Sequence, residues 1–176
     1  MFNRLWMIIF ILTSFQSVAS FIGPDGKPYS ETEYRKTDGH FGAELVITHK
    51  EEEALKNWSI ESKGVYFPTT DTFYKGKIIT ALVVFKGCQK IDNKCQLSQK
   101  HRIIQPDGKV YADIPESELW FNRQSPLDGS IGLGVDYVRL IVEPHEQLGN
   151  YTFEVSVKDY QSNKILKLSK TIMVVE

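Results

Sequence analysis

The sequence has little of what usually points to a chemistry. Its 176 residues include only 2 cysteines and 4 histidines, and 21 Lys+Arg stand against 22 Asp+Glu for a formal net charge of −1. So balanced a charge makes no field that gathers phosphates, which excludes a nucleic-acid-binding arm. Long apolar runs are missing too: a mean hydropathy of −0.26 excludes a polytopic membrane protein. Neither a Gly-x-Ser-x-Gly elbow nor a Ser-x-x-Lys motif is present, so nucleophilic hydrolysis has no candidate. His40, His49, His101 and His145 show no i, i+2 or i, i+4 pairing, so no local metal site is visible. Asp107, Asp113, Glu116, Glu118, Asp128 and Asp136 surround the central turns without the alternating ligands of a calcium loop. Gly132-Leu133-Gly134 leads into a strand rather than a helix, which leaves a phosphate without a helix dipole.

What is present begins with an export signal. Arg4 is followed by the apolar run Leu5 to Leu12 and then by small and polar residues through Ser20. This is the charged, apolar and cleavable order of a secretory leader. Small residues one and three before the cut place cleavage after Ala19 or Ser20, and the apolar run is well short of the roughly 20 residues that span a bilayer. No cysteine lies near the cut for lipid attachment. The expected organisation is a cleaved signal peptide over 1–20, an irregular arm over 21–43, rich in Gly, Pro, Asp, Ser and Thr, and one domain over 44–176. That places the mature chain in the periplasm or outside the cell, with no membrane span after cleavage.

In an exported chain, Cys88 and Cys95 read as a disulfide, because an even count at close spacing favours a bridge over reactive thiols. The apolar segment Lys77 to Phe85 precedes them and Gln96 to Ile104 follows, so the pair is expected at the mouth of a hairpin. Closing so short a loop stabilises by about 2.5 kcal/mol in the chain-entropy account.

Strand and turn signals fill the rest. Tyr151, Phe153, Val155 and Val157 alternate with polar residues, and Leu166, Leu168, Ile172 and Val174 keep a period of two beyond the turn Asp159 to Asn163 with only Lys170 interrupting, which predicts a terminal hairpin over 150–159 and 164–175. Further strands are expected near 44–49, 57–62, 76–87, 96–105, 109–113 and 133–143. The segment Lys50 to Trp58 has helix-forming composition, but an acidic solvated turn with Leu55 and Trp58 docked on the sheet is the preferred reading. Pro24 to Lys27 and Pro106 to Lys109 repeat Pro-Asp-Gly-Lys, which their shared turn chemistry explains, and Leu127-Asp128-Gly129 marks a further turn. The total is seven or eight strands, enough for an all-β sandwich of two packed antiparallel sheets.

Glu146-Gln147-Leu148-Gly149-Asn150-Tyr151-Thr152-Phe153-Glu154-Val155 resembles the turn and tyrosine that lead into the penultimate strand of immunoglobulin-like domains. The resemblance implies that the Tyr151 hydroxyl bonds back to upstream backbone. Phe153 stands where antibody-type domains carry their second cysteine, so the match is to the broader immunoglobulin-like sandwiches of exported bacterial proteins. Such a fold assigns no site.

Aromatics supply the remaining candidates. Trp58, Tyr66, Phe67, Phe73, Tyr74, Trp120 and Phe121 lie at the margins of the clean strands, and Trp120 and Phe121 are the expected ligand-binding pair because Pro115, Glu116 and Ser117 mark a loop just upstream. The sequons at Asn57 and Asn150 matter only in a source that glycosylates exported chains. The expected function is a non-catalytic interaction module for a protein partner or surface ligand, with no cofactor and no nucleic acid. Two alternatives are a carbohydrate or cell-wall hydrolase built from loop carboxylates and a periplasmic copper or zinc carrier.

Overall fold

The computed structural model describes residues 21, 22, 26–60 and 66–176. The expected signal peptide over 1–20 lies outside them. Among the described residues ten strands, more than the seven or eight expected, form two sheets of five. In chain order they are β1 (Arg35–Asp38), β2 (Phe41–Thr48), β3 (Thr72–Tyr74), β4 (Ile78–Lys86), β5 (Lys94–Ile104), β6 (Val110–Gln124), β7 (Ile131–Leu133), β8 (Val138–Ile141), β9 (Gly149–Asp159) and β10 (Lys164–Val175), with one helix, α1 (Glu51–Ile60), after β2. The first sheet runs β1-β2-β4, with β7 and β8 end to end along the far edge of β4; the second runs β3-β10-β9-β5-β6. All pairings are antiparallel except β3 with β10. The chain is thus all-β, a sandwich of two five-stranded sheets. The segment 21–43 is more regular than its composition suggests, since it holds β1 and the start of β2.

Odd-numbered side chains of β2, β4, β5 and β9 and even-numbered ones of β10 turn inward and form the main core, from Phe41, Leu45 and Phe85 to Tyr151, Phe153, Leu168 and Val174. Fully burying each such side chain is worth about 1.5–3 kcal/mol. A second, smaller cluster covers the opposite face of the first sheet: Val46, Leu82, Val84 and Leu133 lie beneath Phe21 and Ala54, with Leu55 and Trp58 packed against them. Residues 51–60 are therefore helical, where an acidic turn and, from 57, a strand were expected. Ala54, Leu55 and Trp58 form one apolar stripe at helical spacing, and Glu51, Glu52 and Glu53 occupy the first turn, where the helix dipole favours negative charge.

The cysteines do bridge, at a Cα–Cα distance of 6.0 Å. They do not close a hairpin within one sheet: β4 belongs to the first sheet and β5 to the second, so the bridge spans the crossover between them. A tight turn, with Asp92 and Asn93 both at positive φ, reverses the chain inside the bridge. The crossover starts at Gly87, whose φ is 63° and where a Cβ would lie 1.7 Å from the His40 carbonyl oxygen, so only glycine fits. Its far side is held by the buried carboxylate of Asp159, which accepts the Gln89 backbone N–H at 2.8 Å and the Ser162 hydroxyl at 2.8 Å.

The terminal hairpin matches expectation almost residue for residue, Lys164 pairing with Asp159. At its start Tyr151 donates its hydroxyl to the Gln147 carbonyl at 2.7 Å, the tyrosine corner that the resemblance implies.

Three sheet edges carry their own closures. The outward Thr37 N–H of β1 donates to Glu31 Oε1 at 2.9 Å, and the Thr72 N–H of β3 donates to Thr70 Oγ1 at 3.2 Å. β6 is an edge strand with four register shifts, Pro115 in its middle, and its Leu119 carbonyl taken by the Val135 N–H at 3.0 Å.

Candidate binding groove

β6 reaches Gln124, beyond the expected end at residue 113, so Trp120 and Phe121 sit on a strand rather than a loop. Neighbouring strand residues face opposite ways, and this separates them. Trp120 leans into the sandwich, its ring 5.4 Å from that of Phe85. Phe121 lies on the outer face of the second sheet, edge-on to Tyr160 at 6.3 Å. The two therefore share no surface.

Trp120 shares a groove with Trp58 instead. A groove of about 510 Å³ is lined by Trp58 from α1, Trp120 and Gln124 from β6, Ser125, Pro126, Leu127 and Ser130 from the following loop, and Ile131 and Gly132 from β7. The Phe67 ring lies 6.3 Å from that of Trp58, 21° from parallel. At Gly132 a Cβ would come within 2.4 Å of Phe85 Cζ, so the missing side chain lets the ring that supports Trp120 approach β7. Trp120 Nε1 donates to the Gln124 carbonyl at 3.1 Å, and the Arg123 guanidinium lies 5.9 Å from its ring centre.

The loop that closes one side of the groove is fastened to the disulfide crossover. Ser125 donates its N–H to the Asn93 carbonyl at 2.9 Å and its hydroxyl to Asn93 Oδ1 at 3.2 Å, while Lys90 pairs with Asp128. Ser130 N–H to Leu127 carbonyl, at 2.9 Å, closes the Leu-Asp-Gly turn that the sequence marks. Leu127 stands at its tip, 82% exposed.

Two other concavities are charged. One, of about 480 Å³, lies over the outer face of the second sheet, where Lys100–Asp113 at 3.2 Å and Arg102–Glu154 at 3.1 Å neutralise each other. The other, of about 650 Å³, lies at the start of α1. There Glu51 accepts Arg139 Nε at 2.6 Å and the Thr80 hydroxyl at 2.8 Å, and hydrogen bonding from Arg139 holds its carboxyl at about 2. These pairs tie α1 to β8 and β4. The groove beside the tryptophans has no charged lining residue.

Of the other aromatic candidates, Phe73 is core, edge-on to His49 at 6.0 Å, and Tyr66 and Tyr74 are exposed away from the groove lining. The loop carboxylates are engaged one by one. Asp107 is held at about 2, chiefly by Lys109 with Gln105 adding a bond; Glu116 accepts Ser98 and Tyr160; Glu118 pairs with Arg123; Asp136 accepts the Tyr137 N–H. Among the described residues no group of three or more His, Cys, Asp or Glu gathers as metal ligands would. None of their helices is long and apolar enough to cross a membrane.

His101 lies in the interior. Its Nε2 is 3.1 Å from Gln99 Oε1, its Nδ1 is buried with no partner, and burial pushes the imidazole down to about 4, with Asp136 opposing weakly. Gln99 also donates to the Asp136 carbonyl at 2.7 Å, which joins β5 to the β7–β8 connection of the other sheet.

No family model and no curated protein matches this sequence. Solved structures align with it weakly, at TM-scores below 0.5. The C-terminal domain of wzt aligns at a TM-score of 0.44 and 16% identity, over 84% of this chain and 81% of that one. An immunoglobulin-like protein from Pseudomonas aeruginosa aligns at 0.31 and 18%, over 76% and 91%. A family 123 glycoside hydrolase from Clostridium perfringens aligns at 0.41 and 10%, over 76% of this chain but only 27% of the enzyme's length. At these scores and identities the likenesses assign neither a family nor a role.

Proposed function

We propose that the chain is a non-catalytic binding module of the periplasm or extracellular space that takes its ligand in the groove between α1 and the loop 125–130. The observation that carries this reading is the groove itself. Two tryptophans distant in sequence converge there with an exposed leucine, on a loop pinned to a disulfide crossover. Binding sites are typically apolar concavities of about 300–1,000 Å³ with a few placed polar groups. A disulfide suits the oxidising compartment to which the leader-like segment points. A hydrolase reading gains no support at this place, because glycoside cleavage needs two carboxyl groups about 5–9.5 Å apart around the ligand, and no carboxylate lines the groove.

The test compares the exported chain with Leu127→Asp, which changes only an exposed tip. Immobilised native chain should retain a component of the exporting compartment saturably, and the variant should lose it. Equal retention by both, or turnover of a supplied substrate, overturns the reading.

A further inference from the structure

We infer that the ligand of this groove is a neutral oligosaccharide, an inference that rests on the binding-module reading and gives it a substrate class. No charged residue lines the groove, and Arg123 beside the Trp120 ring is already paired with Glu118 at 3.2 Å, so a phosphate or an acidic chain would shed hydration there for little ionic gain. The lining has instead the two things a sugar ring offers partners for. Trp58 and Trp120 supply flat, polarisable surface that suits the C–H faces of a pyranose. Gln124 and Ser130 supply an amide and a hydroxyl, which both donate and accept as sugar hydroxyls do.

The indole geometry suits this occupant better than an extended peptide. Peptides in the polyproline conformation dock on aromatic grooves and present carbonyls that need donors. Trp120 has already given its N–H to Gln124, so it offers a ligand ring carbon and not a donor. Both indoles are backed by another ring, Phe67 behind Trp58 and Phe85 behind Trp120, so little side-chain freedom is lost when a ligand stacks on them.

The tryptophans also provide the assay. The chain has three, Trp6, Trp58 and Trp120, and Trp6 lies in the leader-like segment, so in the exported chain tryptophan emission reports the groove alone. Titration with neutral hexasaccharides of glucose, mannose and N-acetylglucosamine should give a saturable emission change for at least one series. Trp58→Ala should weaken that affinity at least tenfold, about 1.4 kcal/mol. Leu127→Asp, which leaves the core untouched, should weaken it several-fold, so a folding defect in the first variant does not decide the matter. Polygalacturonate, the acidic control, should leave the emission unchanged. Silence with every neutral series at millimolar concentration, or a response to the acidic polymer alone, overturns the inference. If a photo-crosslinker at position 127 then captures a protein that Trp58→Ala fails to capture, the binding-module reading survives without the sugar; if it captures nothing, both fall.

Discussion

The two sheets are built on opposite plans. The first is buried on both faces: β2 and β4 bury almost every residue, one side in the main core and the other under α1 and Phe21. The second is buried on one face only, so β9 alternates buried and half-exposed residues along its length. Both stand in one sandwich, yet only the first has a surface on which further structure has been laid. The groove arises at the border of that added layer, where α1 meets the end of β6.

The sharpest way to break this contrast is to place a charge on the outer face of each sheet. Leu82→Asp, beneath α1, should cost at least about 4 kcal/mol and leave little folded protein, whereas Ser156→Asp on the half-exposed outer face of β9 should stay within about 0.5 kcal/mol of the native chain in urea denaturation. Next comes the link between the sheets. Reduction of Cys88–Cys95 should lower stability by about 2.5 kcal/mol and speed amide exchange in the loop 125–130 more than in the β9–β10 hairpin, because Asn93 anchors that loop. Exchange rising equally in both regions would break the assignment.

His101, in the interior between the sheets, makes the contrast depend on pH. Its folded pKa of about 4 lies below the ordinary 6.5, so the unfolded chain binds the extra proton between those values, and stability contributed by the neutral ring is full above pH 6.5 and falls as pH drops toward 4. The loss should reach about 2 kcal/mol at pH 5. His101→Gln should flatten that limb of the stability profile, and an unchanged slope would show that the ring does not govern it. The smallest effect belongs to the corner of the second sheet: Tyr151→Phe removes one bond to the Gln147 carbonyl and should cost about 1 kcal/mol, measured as a shift in the urea midpoint at constant slope.

The same contrast explains what could be read in advance. β9 and β10 were legible to within a residue because one bare face imposes strict alternation. β4, apolar from Ile78 to Phe85 but for Thr80, was recognisable as a strand, but a run buried on both faces does not say which sheet it joins. That is why the Cys88–Cys95 crossover reads as a hairpin until β4 is seen to pair with β2, β7 and β8. β6 was missed past residue 113 because Pro115, four register shifts and scattered acids erase its period, and with it went the side of the strand on which Trp120 lies. α1 offers only one short stripe, and its helix is set by the sheet beneath it. The groove was half legible: Trp58, Phe67 and Trp120 stood out as unplaced aromatics, and Leu127-Asp128-Gly129 as a turn. Nothing local in the chain announces that these parts meet.

The closures on β1, β3 and β6 bear on how this molecule can live in company. Glu31 and Thr70 already fill the hydrogen-bonding slots that a neighbour's backbone would need, and the kinked, proline-bearing β6 offers no straight template. Even at high local density, then, copies should stay separate particles along these borders, and association with other molecules falls to broad faces and clefts, where shape can discriminate among them.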